Sequence, residues 1–425
     1  MNNNATPADR RIGFVSTRFA GNDGVSLETE KWIHVLERMN CSCFFMAGES
    51  EWDSGRSRVV PEAHFKHPDI NMIHQIAFNQ RTRPEETTRQ IHRIKDYLKE
   101  QLRLFVREFS IEVLVVENAL SIPLNIPLGL ALTEFIAETG LLTIAHHHDF
   151  FWERKRFLVN CVWDYLNMAF PPHLPQIRHV VINSSGANQL SLRTGISSLL
   201  IPNVMDFDNP PAPPDEYCDD VCDSLGVLEN EWLFLQPTRV VPRKGIEHAI
   251  ELARRIGKRA KLVVSHASGD EGHEYEIYLH EYAQLMGVQV NFVSDIIREK
   301  RGVIDGHKVY TLSDIYPKSD LVTYPSDIEG FGNAFLEAVY FMRPILVNNY
   351  SIFDTDIKPK GFEVIEFDGI ITDRVVKQTI NVLEDAAAAQ QMCARNYELA
   401  RSYYSYTMLA RLLRIILADF FGENI

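Results

Sequence analysis

The sequence predicts an α/β fold of two doubly wound domains, each a parallel sheet with helices on both faces. Short apolar segments alternate with longer amphipathic ones, which is the pattern of strands and helices in such a sheet. Asn209–Asp215 is rich in proline and is the clearest linker in the chain. The alternation restarts beyond it, at Trp232. We therefore expect one domain over 1–207 and another over 208–403.

The composition excludes several classes of protein. A chain of 425 residues, 45% hydrophobic and 24% charged, is ordinary for a globular protein of about two to three domains. Its net charge of −14 argues against a nucleic-acid partner, because neutralising phosphates requires a basic surface. The first residues lack an apolar signal segment, and the longest uncharged stretch, Asn118–Thr133, is too short to span a bilayer. We therefore expect a cytoplasmic protein without an integral membrane contact.

The first domain begins with a strand that leads into a glycine-containing loop. Arg11–Ser16 is the predicted strand, and the helix after the loop has apolar residues at helical spacing. Doubly wound folds present backbone amides to a ligand at such a loop, so we expect Gly24 beside a phosphate. Cys41–Met46 is the second predicted strand, and Glu85–Glu108 is a long amphipathic helix.

Three consecutive histidines, His146 to His148, end a later strand of this domain. They follow the buried strand Ile111–Glu117 and the helix Gly129–Glu138. Because successive side chains of an extended chain point to opposite faces, only His146 and His148 can converge. No further ligand cluster is evident from the spacing, so the sequence predicts no metal site.

Aromatic and cationic side chains follow the histidines. They are Trp152, Arg154 and Arg156. They are suited to the entry of an anionic substrate, but a charged helix surface explains them equally well. The sequence leaves both interpretations open.

Two cations follow the first strand of the second domain. The strand is Trp232–Gln236, and Arg239 and Lys244 lie five residues apart in the loop before the helix that begins at Gly245. An arginine fork and a lysine point charge at a strand end can straddle a diphosphate. An isolated pair of this kind is more often a surface ion pair, so the interpretation depends on a second segment.

Glu329 and Glu337 flank a glycine turn in that second segment. The apolar strand Ser319–Tyr324 leads to the turn, and a helical pattern begins at Asn333. A helix that starts directly after glycines presents free N–H groups and the positive end of its dipole to the turn. The segment therefore predicts a phosphate site with a carboxylate on either side.

Together the two segments resemble the retaining glycosyltransferases of family GT4, which have the GT-B fold. Arg239 and Lys244 match the family's Arg-x4-Lys clamp, and Glu329 and Glu337 match its E-x7-E motif. Ser197–Asp206 is similar to the family's "IPNGVD" strand, with valine at position 204 in place of glycine. The resemblance implies that the two Rossmann-like domains face each other across a cleft.

The resemblance also implies what each part of the chain does. Residues 1–207 would form the acceptor-binding domain, residues 208–403 the nucleotide-sugar-binding domain, and residues 404–425 a helix that returns to the first domain. In such enzymes the arginine and lysine hold the donor diphosphate, Glu329 contacts the transferred sugar and Glu337 binds the ribose. The remaining contacts to the nucleotide-sugar at glycine loops would be Gly24, Gly330, Phe331, Gly332 and Asn333.

The end of the fourth strand commonly carries a His-Asp pair in this family. The pair lines the sugar pocket, so the resemblance transfers that role to His148 and Asp149. The implied catalytic residues are then His148, Asp149, Arg239, Lys244 and Glu329. The family usually works without a metal ion, since the cations and the helix amides compensate the negative charge of the diphosphate.

The implied activity is retaining hexosyl transfer. Glucose or mannose would pass from a nucleotide-sugar (UDP-glucose, GDP-mannose or GDP-glucose) to a small soluble acceptor such as a compatible-solute precursor or sugar derivative, and the arginines hint that this acceptor is anionic. Three alternatives stay open: a cell-envelope or lipid-linked acceptor, a sugar-nucleotide 2-epimerase, and a non-catalytic sugar-nucleotide-binding subunit. A homo-oligomer is also left open.

Overall fold

The structure is a computed structural model that describes residues 9–21, 24–257, 259–268 and 272–422. The chain divides into two compact units. Unit 1 comprises Met1–Val204 and Tyr406–Ile425, and unit 2 comprises Met205–Ser405. No helix among the described residues is long and apolar enough to cross a membrane.

The described residues form strands whose bounds are as follows. They are β1 (Arg10–Val15), β2 (Cys41–Ala47), β3 (Ser57–Val59), β4 (Val113–Glu117), β5 (Leu142–His147), β6 (Ile177–Val181), β7 (Ser198–Leu200), β8 (Trp232–Gln236), β9 (Ala260–Val264), β10 (Val290–Phe292), β11 (Gly302–Ile304), β12 (His307–Val309), β13 (Leu321–Tyr324), β14 (Ile345–Asn348) and β15 (Ile365–Phe367).

The α-helices of the described residues are interspersed with these strands. They are α1 (Gly24–Arg38), α2 (Pro68–Ala77), α3 (Glu85–Glu108), α4 (Ile126–Thr139), α5 (Trp163–Ala169), α6 (Ser184–Thr194), α7 (Val221–Ser224), α8 (Ile246–Ile256), α9 (Glu274–Met286), α10 (Leu312–Ile315), α11 (Asn333–Tyr340), α12 (Asp373–Glu384), α13 (Ala386–Tyr404) and α14 (Tyr406–Phe421).

Unit 1 is built on a seven-stranded parallel sheet in the order β3-β2-β1-β4-β5-β6-β7. One apolar core lies between the sheet and α2 to α5, and a second lies between the opposite face and α1. The last helix, α14, completes this second core with Leu409, Leu413 and Leu417 and packs beside α1. The predicted return of the C-terminal helix to the first domain is therefore confirmed.

Unit 2 repeats the architecture with a six-stranded parallel sheet in the order β10-β9-β8-β13-β14-β15. Its core includes Phe234, Leu262 and Leu346 from the sheet. α8 adds a buried stripe of apolar residues, since its helical spacing puts them on one face. The predicted α/β class with two doubly wound domains is confirmed. In each sheet the parallel strands end at one edge, and loops at that edge carry the polar residues singled out from the sequence.

The structure contains elements that the sequence patterns did not predict. Sequence patterns assigned no strand or helix between the second strand and Pro84, but this segment includes β3 and α2. β3 is three residues long and lacks an apolar run. The antiparallel hairpin β11–β12 was also missed, although Asp305 and Gly306 at its turn have φ of 51° and 81° and form a recognisable Asp-Gly hairpin signal.

Candidate active site

In unit 2, the loop between β8 and α8 carries Arg239 and Lys244. The buried side-chain amide of Gln236 anchors the start of this loop. Its NH2 group donates to the Thr238 hydroxyl over 2.7 Å, and its side-chain oxygen, Oε1, accepts from the Thr323 hydroxyl over 2.7 Å. Thr323 belongs to β13, which pairs with β8. The network therefore fixes the ends of two neighbouring strands, and hence the two loops that leave them.

Gly245 allows this loop to lie against the end of β13. Its φ is +57°, and a Cβ atom added there would lie 2.5 Å from the carbonyl oxygen of Pro325. Such an approach is too close for any residue with a side chain. The glycine thus brings Lys244 to the segment that carries Glu329.

Lys244 and Glu329 form a buried ion pair, and their side chains are only 11% and 10% exposed. Arg243 lies on the outer side of the pair, with Nη1 3.5 Å from Glu329 Oε2. Arg239, by contrast, is exposed. The sequence did not predict the burial of Lys244, because that burial depends on a contact with Glu329, 85 positions away in the chain.

The charges of this pair respond to burial and to each other. Burial lowers the pKa of Lys244, and Arg243 and Arg239 lower it further against the opposing effect of Glu329. Burial alone would raise the pKa of Glu329, but the charge and hydrogen bond of Lys244 hold it below its ordinary value. Glu329 is therefore a carboxylate at neutral pH and a weak base.

Glu337 lies on α11 and is oriented by a tyrosine that the sequence analysis did not identify. The Tyr316 hydroxyl donates to Glu337 Oε2 over 2.6 Å. Tyr316 is fully buried, and burial followed by the Glu337 charge raises its pKa well above the ordinary value. The tyrosine thus remains a donor and holds the half-buried carboxylate in one orientation.

The glycine turn before α11 is built as its sequence predicts. Gly332 has a φ of +137°, and an added Cβ atom would lie 2.6 Å from the Tyr350 hydroxyl. That hydroxyl donates to the carbonyl of Phe331 over 2.7 Å. The Phe331 side chain is buried against the ring of Tyr404, so only its backbone is suited to a ligand contact. Asn333 is the first residue of α11 and Gly330 is exposed.

A second polar cluster lies in unit 1, where Glu117 ends β4 beside β5. Glu117 is the neighbour of His146 in the register of the two strands. His146 Nδ1 lies 3.0 Å from Glu117 Oε2, and His148 Nε2 lies 3.2 Å from the same oxygen. Sequence reasoning missed Glu117, and the signal that could have found it is an acid at the last position of a strand adjacent to the histidines.

The cluster sets the charge of His148. Burial alone would raise the pKa of Glu117, but the two histidines lower it to about 2. Burial alone would likewise lower the pKa of His148, but the hydrogen bond and charge of Glu117 raise it above the ordinary value. Glu117 is therefore an anion and favours a cationic His148, whose side chain is 10% exposed.

The middle histidine has separate partners, as the alternation along β5 requires. His147 Nε2 lies 2.9 Å from His179 Nδ1 on β6. Burial lowers the pKa of His179 to about 4 and that of His147 well below the ordinary value. This buried pair is neutral and belongs to the core of unit 1.

Within the described part of the chain, Glu117, His146 and His148 form the cluster whose side chains could together bind a metal ion. Their ligand atoms lie within 4.8 Å of one another. Each contact is also of hydrogen-bond length, so a shared proton network accounts for the geometry without an ion. His146 Nε2 is buried and makes no hydrogen bond, whereas a histidine that holds a metal normally has a partner there.

The residues after the histidines are already engaged with one another. The Asn118 side-chain NH2 donates to Asp149 Oδ1 over 3.0 Å, and Arg154 pairs with Asp149 Oδ2. Trp152 stacks on Phe150, with ring centroids 4.6 Å apart. Two other predicted positions stand apart: the exposed Arg156 lies over the ring of Phe157, and Gly24 is the exposed first residue of α1.

Comparison with known proteins identifies the family. Residues 223–399 match the family "Glycosyl transferases group 1". Over 385 residues the chain is 31% identical to mannosylglucosylglycerate synthase of Petrotoga mobilis, covering 83% of this chain and 86% of the relative. It is 29% identical to the enzyme of the same name from Thermotoga maritima, covering 95% and 98% of the two chains.

Solved structures show the same fold. A glycosyltransferase from Rickettsia africae superimposes with a TM-score of 0.68 at 13% identity, covering 98% of this chain and all of the other. Anabaena HepE in complex with UDP-glucose superimposes with a TM-score of 0.65 at 12% identity, covering 96% and 99%. The resemblance found in the sequence is thereby confirmed, and the chain belongs to the group 1 glycosyltransferases of the GT-B fold.

Proposed function

We propose that the protein is a retaining mannosyltransferase that joins mannose from a nucleotide-sugar, GDP-mannose first, to a small anionic glycoside of the glucosylglycerate type. The observation that carries the proposal is the likeness over most of the chain to two enzymes named mannosylglucosylglycerate synthase. The Arg-x4-Lys residues follow β8, and the E-x7-E residues lie in the loop and helix that follow the adjacent strand β13; together they support a nucleotide-sugar donor. The second candidate is transfer of glucose, from UDP-glucose or GDP-glucose, to the same type of acceptor.

The departing diphosphate would be stabilised by charge that is already in place. Arg239 and Lys244 supply cations, and the backbone amides of Gly330 to Asn333 supply neutral donors at the start of α11. Lys244 is held by Glu329, so its position does not need to be organised during the reaction. Preorganised donors of this kind lower the barrier without a metal ion.

Glu337 and Glu329 would each bind a different part of the nucleotide-sugar. Glu337, fixed by Tyr316, is suited to accept hydrogen bonds from the two ribose hydroxyls. Glu329 would contact a hydroxyl of the transferred hexose or stabilise the cation that develops at its anomeric carbon. In the retaining mechanism the leaving phosphate takes the proton of the attacking acceptor hydroxyl.

We propose that His148 and Asp149 contact the transferred sugar. Glu117 raises the pKa of His148 and so favours its cationic form, which is a hydrogen-bond donor to a hydroxyl or to the leaving group. Asn118 and Arg154 fix the Asp149 carboxylate as an acceptor. Arg154 and Arg156 are the cations that we assign to the acceptor's anionic group, with Trp152 beside them.

Product analysis tests the proposal against its alternatives. We would incubate the protein with GDP-mannose, UDP-glucose or GDP-glucose, with and without glucosylglycerate, and identify products and anomeric configuration by NMR. An α-linked mannoside of the acceptor is the expected product. A 2-epimer of the donor would indicate an epimerase, binding without turnover a non-catalytic subunit, and turnover only with lipid-linked acceptors an envelope enzyme.

We expect the activity to persist in an excess of EDTA. The reason is that Arg239, Lys244 and the helix amides compensate the diphosphate charge, which is the role a divalent ion plays in other transferases. Initial rates with and without EDTA, after extended dialysis, measure the effect. Complete loss restored by Mg²⁺ or Mn²⁺ would contradict metal independence. Loss restored by zinc would instead identify Glu117, His146 and His148 as a ligand set.

A further inference from the structure

His266 lies beside the two cations assigned to the diphosphate. It follows β9, which pairs with β8 along the full length of both strands, so the loops after these strands leave the same edge of the sheet. The Val240 N–H donates to the carbonyl of Ala267 over 3.2 Å and ties the two loops together. The backbone of His266 is thus fixed next to Arg239.

A buried serine orients the His266 ring. Ser265 Oγ lies 2.8 Å from His266 Nδ1 and 3.4 Å from the backbone carbonyl oxygen of Gln236. A hydroxyl that donates to this carbonyl must accept from the ring, which places the hydrogen of a neutral imidazole on Nδ1. Nε2 then presents a lone pair, and it becomes a donor to an anion only when it gains a proton.

The charges around His266 keep it neutral in the free protein. Burial lowers its pKa, and Arg239 and Lys244 lower it further. In the described part of the chain these two cations are the charged groups that act on the ring. A diphosphate held by the same two cations would make the electrostatic potential at the ring negative and so raise the pKa of His266. Protonation of Nε2 and binding of the nucleotide-sugar therefore favour each other.

We propose that His266 is a third contact of the donor diphosphate and that its Nε2 takes up a proton from solvent when the nucleotide-sugar binds. The neutral histidine then becomes a charge-assisted donor to a phosphate oxygen only in the loaded site. The inference rests on the proposed function, since it requires a nucleotide-sugar at Arg239 and Lys244. It adds a binding residue that lies outside both motifs of the family resemblance.

Calorimetry in two buffers of different ionisation enthalpy tests the proton uptake. The ligand is GDP-mannose without acceptor, because its diesterified diphosphate has no group that titrates near neutrality. We expect the wild-type protein to take up protons near pH 7 and to bind more tightly as the pH falls from about 8 to about 6. His266→Gln should lose the uptake and bind about tenfold more weakly near pH 6, with little change near pH 8.

His280→Gln is the matched control. His280 is exposed on α9, where it stacks on Phe292 with ring centroids 4.3 Å apart, and this variant should bind and take up protons like the wild type. If His266→Gln keeps both the affinity and the proton uptake while the wild type binds, the inference is wrong and the proposed function stands. If the wild type binds none of GDP-mannose, GDP-glucose and UDP-glucose, the proposed function fails and the inference fails with it.

Discussion

Lys244→Ala is expected to lower kcat/KM by a factor of about 30 to 1000 and to destabilise the fold at the same time. One preorganised donor contributes about 2 to 4 kcal/mol to a transition state that develops charge. Lys244 also neutralises Glu329 at a site where both side chains are about nine-tenths buried. Removing it leaves the buried carboxylate with the more distant Arg243, 3.5 Å away, as its counter-charge, and this loss costs about 3 kcal/mol of unfolding free energy. Steady-state kinetics and urea denaturation measure the two effects.

Arg239→Ala separates catalysis from stability. Arg239 is exposed, so its removal should change the unfolding free energy by less than about 0.5 kcal/mol while lowering kcat/KM to a similar extent. Adding Glu329→Gln to Lys244→Ala removes the buried negative charge that has lost its closest cation, and should restore much of the stability without restoring activity. Near-wild-type kcat/KM in either single variant would contradict the role assigned to that residue.

His148→Ala is expected to lower kcat by about 100-fold and to leave the affinity for the free nucleoside diphosphate unchanged. The reason is that His148 is assigned to the transferred sugar and the leaving group, which interact with it most strongly in the reacting state. Glu337→Ala should show the opposite pattern, with nucleotide affinity about tenfold weaker. Calorimetry of nucleoside diphosphate binding beside the kinetics of both variants measures this difference.

Two results would bear on this assignment. If His148→Ala abolished nucleotide binding while Glu337→Ala left it untouched, the roles of the two residues would be reversed from those proposed. Tyr316→Phe is the control for Glu337, because it keeps the carboxylate and removes only the hydrogen bond that orients it. We expect it to weaken nucleotide binding less than Glu337→Ala does.

The fold was largely predictable from the sequence because its signals are local. Strand-helix alternation identified two doubly wound domains, and the predicted helix Glu85–Glu108 has the bounds that the structure gives it. β3 was missed because three partly polar residues carry no strand pattern, and they pair with β2 only through tertiary contacts. The hairpin at Asp305 was not predicted, although its Asp-Gly turn is a hairpin signal in the sequence.

The candidate site was less predictable because its partners are distant in the chain. Motif spacing identified Lys244 and Glu329, but their ion pair depends on the pairing of β8 with β13 and on the close approach at Gly245. Glu117 was missed for a similar reason, since the register of β4 with β5 places it beside His146. Spacing also did not show that the side chain of Phe331 is buried, which leaves only its backbone for the ligand contact that we propose.

The alternation of the three histidines along β5 limits how this protein can be diversified in the laboratory. His146 and His148 reach Glu117, whereas His147 turns to His179. Deleting one residue just before β5 would slide the strand by one position and present a single histidine to Glu117, with two histidines now facing the core. Libraries that substitute residues in β5 keep positions 146 and 148 on the side of Glu117 and position 147 on the side of His179. Libraries that change the length of the segment before β5 do not.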